Sequence, residues 1–307
     1  MKIAVIGAGL IGQAWSIVFA RGGLDVALWD GDPRALERAD EMVQQLTDKL
    51  QRSGLLASST QTQARIRCVP TLEEALAEAG YVQECLPESV EIKQEIFARM
   101  DALTRPEAIL ASSTSSIAAS RFTESLPGRA RCLVAHPVNP PYLIPVVELC
   151  GAPWTDPAVI SKAHDLLTQV QQTPIIVKKE IKGFILNRLQ GAVLREAFRL
   201  VENDYVSVED LDLTIKNGLG LRWSFMGPFE TIDLNAPDGL QDYCERYGGI
   251  YNELALEQTD TTPWSDTLIH ALDAERRDIL PREQLRERRV WRDERLMALL
   301  RHKAGKD

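Results

Sequence analysis

Hydrophobic positions along the first 180 residues come in two alternating rhythms. Short apolar runs, most of them β-branched, fall at KIAVI (2–6), DVALW (25–29), 66–69, 81–85, 108–111, 131–135 and PIIVK (174–178). Between them, apolar residues recur at helical spacing over AWSIVFARGG and over 33–52, 71–79, 90–102, 117–125 and 157–171. Alternating strand and helix patterns of this kind predict an α/β architecture with a doubly wound, mainly parallel sheet. One segment breaks the rhythm. In PVNPPYLIPVVEL, Pro137, Pro140 and Pro141 forbid helix and stiffen a turn, so the apolar run ending at Glu148 predicts a strand returning beside the previous one.

The pattern changes again at Lys182–Gly183. From Phe184 to Val201 the chain reads FILNRLQGAVLREAFRLV, apolar over most of the helix circumference, as suits the core of an all-helical domain or a subunit interface. Asn187 lies on the line through Gly191, Leu194 and Phe198, where a covered amide needs backbone, water or ligand as a partner. The reading is therefore a first domain at 1–182 and a smaller helical one at 183–307. A last helix, PREQLRERRVWRDERLMALLRHK, starts at Pro281, with Trp291, Leu296 and Leu300 as anchors and its charges on a solvated face.

A length of 307 residues, 45% of them hydrophobic, suits two compact domains or one large one. The net charge of −9 argues against a nucleic-acid surface and against attraction to an anionic membrane, which leaves a small molecule as the expected partner. Five cysteines, at 68, 85, 132, 150 and 244, form no CxxC pair and fit a reducing cytoplasm. The N-terminal stretch resembles a signal peptide only superficially, because Gln13 and the glycines at 7, 9 and 12 interrupt its apolar core.

Those glycines carry chemistry. GAGLIG, Gly7 to Gly12, follows the first strand directly and opens a helix. In such a loop Gly7 permits the tight turn, Gly9 lets backbone approach a pyrophosphate, and Gly12 lets helix pack on strand, with amides near Leu10 and Ile11 as donors. The second strand ends in Asp30, at the spacing of the acid that binds the ribose hydroxyls of a dinucleotide. A carboxylate there repels a 2′-phosphate, so a Rossmann-type domain that prefers NAD to NADP is expected. Asp32, just before Pro33, reads as a helix cap.

Downstream, SSTSS and AHPVNPPYLIPVVEL put Ser115 and His136 at the C-terminal ends of two strands, the edge where open α/β sheets bind ligands. Glu148 returns toward His136 on the next strand. Taken alone, the serines could equally cap the following helix and His136 could be a core histidine. His164, His270 and His302 lack ligand spacing, and no metal is expected.

GAGLIG, SSTSS, AHPVNPPYLIPVVEL and KGFILNRL together resemble the 3-hydroxyacyl-CoA dehydrogenase superfamily, and NGLGLRWSFMGPFETIDLNA (Asn217 to Ala236) looks like its lambda-crystallin branch, the L-gulonate 3-dehydrogenases. The resemblance implies that Ser115 holds the substrate hydroxyl, His136 is the general base, Glu148 is its acidic partner and Asn187 binds the substrate oxygen. It places Glu88 and Lys93, in ECLPESVEIK, at the ribose and nicotinamide side of NAD. It also implies a homodimer, with the second domain completing the substrate site. Two departures, Ser113 for the asparagine of S-N-T-S-S and HPVNPP for H-F-F-N-P, point away from a CoA thioester without touching the acid–base set.

The residues agree with alcohol oxidation: an imidazole takes the hydroxyl proton as hydride leaves, and Glu148 stabilises the imidazolium. Arg222, in GLGLRWSF, is the candidate for pairing with a free substrate carboxylate, although an arginine tied to a neighbouring acid or a dimer contact reads equally well. The favoured reading is an NAD-dependent dehydrogenase of a small 3-hydroxy acid such as L-gulonate. Its alternatives are a CoA-thioester dehydrogenase and a non-catalytic NAD-binding protein.

Overall fold

Strand β1 (Lys2–Ile6) is buried from its second residue onward, as a continuous apolar run requires at the centre of a parallel sheet. In the computed structural model, which describes residues 1–304, α1 (Leu10–Arg21), β2 (Asp25–Trp29), α2 (Pro33–Arg52), α3 (Ser59–Gln63) and β3 (Ile66–Cys68) follow it. Then come α4 (Leu72–Leu76), β4 (Ala79–Glu84), α5 (Val90–Leu103), β5 (Ile109–Ser112), α6 (Ser120–Thr123) and β6 (Cys132–Pro137). β7 (Val146–Gly151), α7 (Pro157–Gln169) and β8 (Thr173–Val177) complete the α/β part. Among the described residues the sheet has eight strands in the order β3-β2-β1-β4-β5-β6-β7-β8. It is the doubly wound, mainly parallel sheet that the pattern predicts. One core lies on the face covered by α1, α2 and α7, and a second on the face covered by α4, α5 and α6.

The first six strands are parallel to one another; β7 and β8 run the other way. Loop length explains this reversal. A parallel crossover takes a dozen or more residues, usually with a helix, and the proline-rich segment 138–145 is too short and too stiff for one. β7 therefore pairs antiparallel to β6 in a register that sets His136 opposite Glu148.

Local differences from the sequence pattern have local causes. The helix predicted at 117–125 shrinks to α6, because the Thr114 hydroxyl holds the Ile117 amide and the Glu180 carboxylate caps Ser120 from outside the segment. α3 comes from a polar stretch, STQTQ, whose N-cap is the Ser58 side chain. It has no apolar stripe to announce it.

The remaining helices are α8 (Leu186–Glu202), α9 (Val208–Thr214), α10 (Gly220–Trp223), α11 (Pro228–Asp233), α12 (Gly239–Glu257), α13 (Asp266–Ile279) and α14 (Leu285–Lys303). The chain forms two compact units, Met1–Arg188 with Asp293–Ala304, and the helical stretch Leu189–Arg292. Residues 305–307, the end of the domain drawn at 183–307, lie outside the described residues. The end of α14 belongs to the first unit because Met297 is 3% exposed in its core, with Leu296 and Leu300 packed beside it. A single cut at residue 182 does not convey this return, which depends on a contact distant in sequence.

Helix α8 departs from its pattern. Apolar residues around its circumference predict burial on several sides, yet none of its residues is buried, and Leu189, Val193 and Leu194 are 60%, 40% and 37% exposed. No helix among the described residues is long and apolar enough to cross a membrane.

Truncating Met297 to alanine should lower stability by about 2–4 kcal/mol, the range for a buried large-to-small change. Urea unfolding measures it, and an unchanged midpoint would mean that the C-terminal segment does not stabilise the first unit.

Candidate active site

The glycine loop joins β1 to α1, and each glycine has its own reason. Gly7 has φ +107°, and a Cβ there would sit 2.8 Å from the Cys85 carbonyl oxygen; at Gly12 it would lie 1.8 Å from the Gly7 oxygen. Both positions exclude side chains through packing. Around Gly9, by contrast, nothing lies within 4 Å of where a Cβ would be. Gly9 is also the N-cap of α1 and supplies no side-chain hydrogen bond, so the first-turn amides, including those of Leu10 and Ile11, face open space. Free helix-terminal amides beside an open approach suit a pyrophosphate. Asp30, just after β2, accepts from the Ala8 amide at 2.7 Å and from the Asp32 amide at 2.9 Å. It therefore fixes the loop while each oxygen keeps a lone pair for a ribose hydroxyl. Asp32 caps α2 by accepting from the Arg34 amide. These residues fit NAD.

At the C-terminal ends of the neighbouring strands lies a second cluster. His136 Nδ1 is 2.8 Å from Glu148 Oε2, and both side chains are almost wholly buried. The other Glu148 oxygen accepts the amides of Ile185 (2.7 Å) and Leu186 (3.0 Å), where α8 begins. Gly183 at φ +80° and Phe184 at φ +49° turn the chain so that these amides face the carboxylate. Phe184 is fully buried, its ring 5.5 Å from the imidazole. Burial disfavours the Glu148 anion, but the hydrogen bonds from His136, Leu186 and Ile185 together outweigh it and hold the carboxyl below its usual range. An anionic partner on Nδ1 leaves Nε2 as the basic nitrogen of His136.

The SSTSS loop follows β5, and its exposed Ser115 is placed by backbone contacts. Asn187, in the first turn of α8, donates from Nδ2 to the Ser115 carbonyl at 2.8 Å. Glu88 Oε1 accepts the amides of Ser115 (3.1 Å) and Ser116 (3.0 Å) and the Thr114 hydroxyl (2.6 Å). Lys93 is 1% exposed and lies 3.0 Å from Glu84 Oε2. Sequence reasoning missed Glu84, whose partners Lys93 and Ser112 lie nine and 28 residues away. Ser113 has a structural part: its hydroxyl accepts from Trp15 Nε1 (3.1 Å) and Gln83 Nε2 (2.7 Å), closing a polar network under the loop.

The first unit thus brings together Ser115, Glu88, Lys93, His136, Glu148 and Asn187, and carries Gly7, Gly9, Leu10, Ile11, Gly12 and Asp30. Arg222 belongs to the second unit, on α10. It is exposed, and no acid among the described residues forms an ion pair with it.

A sheet that opens with a phosphate cradle and presents a carboxylate-held imidazole at the same edge is equipped to pass on a hydride and accept a proton. The molecule is an NAD-binding oxidoreductase. Residues 2–181 match the model for the 3-hydroxyacyl-CoA dehydrogenase NAD-binding domain and residues 183–278 that for its C-terminal domain, and the chain belongs to this family. Lambda-crystallin of Oryctolagus cuniculus is 39% identical over 306 residues, covering 98% of this chain and 96% of the relative. An L-carnitine dehydrogenase of Pseudomonas sp is 38% identical over 246 residues, 80% of this chain and 76% of the relative. Among solved structures, an NAD-dependent dismutase, 5-formyl-3-hydroxy-2-methylpyridine 4-carboxylic acid 5-dehydrogenase, superposes with a TM-score of 0.87 at 28% identity, covering 99% of this chain and 98% of that one.

Gly12→Ala should weaken NADH binding by roughly tenfold or more, because overpacking against the Gly7 carbonyl displaces the first turn of α1. A fluorescence titration giving the parent Kd would show that the cradle tolerates the methyl group.

Proposed function

We propose that this protein oxidises the 3-hydroxyl of a small free 3-hydroxy acid, L-gulonate or one like it, to the 3-keto acid. The observation that carries this reading is the buried His136–Glu148 pair at the same sheet edge as the glycine cradle. Its similarity to lambda-crystallin and to an L-carnitine dehydrogenase, whose named substrate is itself a free 3-hydroxy acid, supports it. So does the state of four of the six basic residues in segment 34–67, where a CoA ligand would lie in this superfamily. Arg38, Lys49, Arg65 and Arg67 are paired with Asp32, Glu294, Asp25 and Glu74, which leaves them ill suited to a CoA phosphate.

His136 Nε2 takes the alcohol proton while Glu148, on Nδ1, fixes the ring and stabilises the imidazolium. The Ser115 hydroxyl holds the substrate oxygen. Asn187 uses one N–H on the Ser115 carbonyl and keeps the second for the oxygen as it becomes a carbonyl. Gly7 to Gly12 and Asp30 hold NAD, with Leu10 and Ile11 amides on the pyrophosphate and Glu88 on the ribose side. When bound, NAD supplies the acceptor for the hydride leaving the carbinol carbon. Arg222 binds the substrate carboxylate, for which its lack of an acidic partner leaves it available. The protein acts as a cytoplasmic homodimer in which the exposed apolar residues of α8 are covered.

His136→Gln should keep NADH affinity and lose about 10²- to 10⁴-fold in turnover of a 3-hydroxy acid, the usual contribution of a positioned base. Near-normal turnover, followed by NADH absorbance, would require a different base.

Arg222→Met should lower kcat/KM for the free acid about 10- to 100-fold more than for its neutral methyl ester, as loss of a charged hydrogen bond implies. Equal losses on both would remove Arg222 from carboxylate recognition.

A further inference from the structure

Three prolines strip the turn between β6 and β7 of donors. Pro140, Pro141 and Pro145 carry no N–H, yet residues 140–143 are buried, so their carbonyls need partners. Pro140 is served locally, by the amides of Leu143 and Ile144 at 2.9 Å each. The next two carbonyls take side chains. Arg21, the last residue of α1, donates from Nη1 to the Tyr142 carbonyl at 2.8 Å, across 121 residues of sequence. The Gln172 side chain, 5% exposed, donates from Nε2 to the Pro141 (3.3 Å) and Pro145 (3.2 Å) carbonyls, and its Oε1 accepts from Arg21 Nη2 at 3.1 Å. One guanidinium and one amide therefore bridge the end of α1, the entry to β8 and the proline turn.

Both ends of the bridge are fixed. A Cβ at Gly22 would overlap the Val170 side chain, so the end of α1 packs directly on the segment that leaves α7. Gln171 takes a left-handed φ of +62°, and the backbone N–H of Gln172 bonds back to the Leu167 carbonyl at 2.9 Å, which holds the backbone that carries the Gln172 side chain. Burial pushes the Arg21 guanidinium down to about 10. It stays charged at neutral pH, and its bonds to the turn are charge-assisted.

We propose that Arg21 and Gln172 are positioning residues for the acid–base pair: together they clamp the Pro140–Pro145 turn, and the clamped turn delivers β7 in the register that sets Glu148 opposite His136. The inference rests on the reading of His136 as the base. His136 stands just before the turn and Glu148 just after it, so any shift of the turn moves one side chain relative to the other. Their contact is a 2.8 Å bond between buried groups. Misplacing a reacting group by about 1 Å costs on the order of 100-fold in rate, so a loosened turn is felt in catalysis. Arg21 and Gln172 act on the pair through the backbone of the turn.

The test is a double-mutant cycle of Arg21→Met, Gln172→Met and the two combined. Three quantities are measured: NADH Kd, kcat at saturating NADH, and the low-field Nδ1–H resonance of His136, identified by its absence from His136→Gln. Each single variant should keep the parent's NADH Kd, lower kcat about 10- to 100-fold and broaden the resonance through faster exchange with solvent. The combined variant should lose about as much as the worse single one, because both residues act on one turn. Gln172 lies outside α1, so Gln172→Met decides the matter even if Arg21→Met does not fold. Losses that multiply in the combined variant would mean two independent disturbances and overturn the clamp. A parent-like kcat and resonance in Gln172→Met would do the same, and a raised NADH Kd with kcat intact in Arg21→Met would assign Arg21 to the glycine cradle instead. If the parent enzyme oxidises no 3-hydroxy acid, the proposed function fails. The His136 resonance in the variants then still decides whether the clamp holds the pair.

Discussion

Glu148 is the carboxylate on which the rest of the site depends. It is buried, and its two oxygens face in two directions, one to the imidazole of His136 and one to the first amides of α8. An anion in such a place persists only because those donors together offset its desolvation. The antiparallel turn of β7 exists in the same sense: it delivers Glu148 opposite His136 in register. The left-handed backbone at Gly183 and Phe184 delivers the helix amides. A phenylalanine in that conformation costs on the order of 1–3 kcal/mol, which the surrounding packing must offset. Strain of this kind is tolerated where it positions a reacting group.

A pair of carboxylates lies beside Glu148 and His136 in the same unit. Glu84 and Glu88, bridged by Lys93, hold the serine loop from beneath as Glu148 holds the histidine. Asn187 ties the two halves together, because it stands one residue beyond the amide that caps Glu148 and donates to the carbonyl of Ser115. His136, Glu148 and Ser115 are therefore tied together through the start of α8, resting on a sheet whose opposite faces are both packed.

Much of this was legible in the residues themselves. GAGLIG after KIAVI could be read because strand, tight turn and helix are consecutive, and the steric demands on Gly7 and Gly12 come from their own neighbours. The proline run at 137–141 announced the reversal of β7, and with it the meeting of His136 and Glu148. Glu84 was not legible in the same way. Its partners sit nine and 28 residues away, and nothing local distinguishes a buried acid from one that ends a strand in solvent. Ser113 showed as a departure from a family pattern, but only packing reveals that it bonds Trp15 and Gln83.

Periodicity and steric exclusion act over a few residues, so the sequence alone determined the alternation of strands and helices, the glycine cradle and the meeting of His136 with Glu148. Burial and charge pairing act between residues far apart in the chain, and these only the tertiary structure decided. It turned Lys93 inward, made the start of α8 a cap for Glu148, returned Met297 to the first unit, and left the rest of α8 uncovered. A hydrophobic stripe records that a surface must be covered; which surface covers it depends on the shape of everything else.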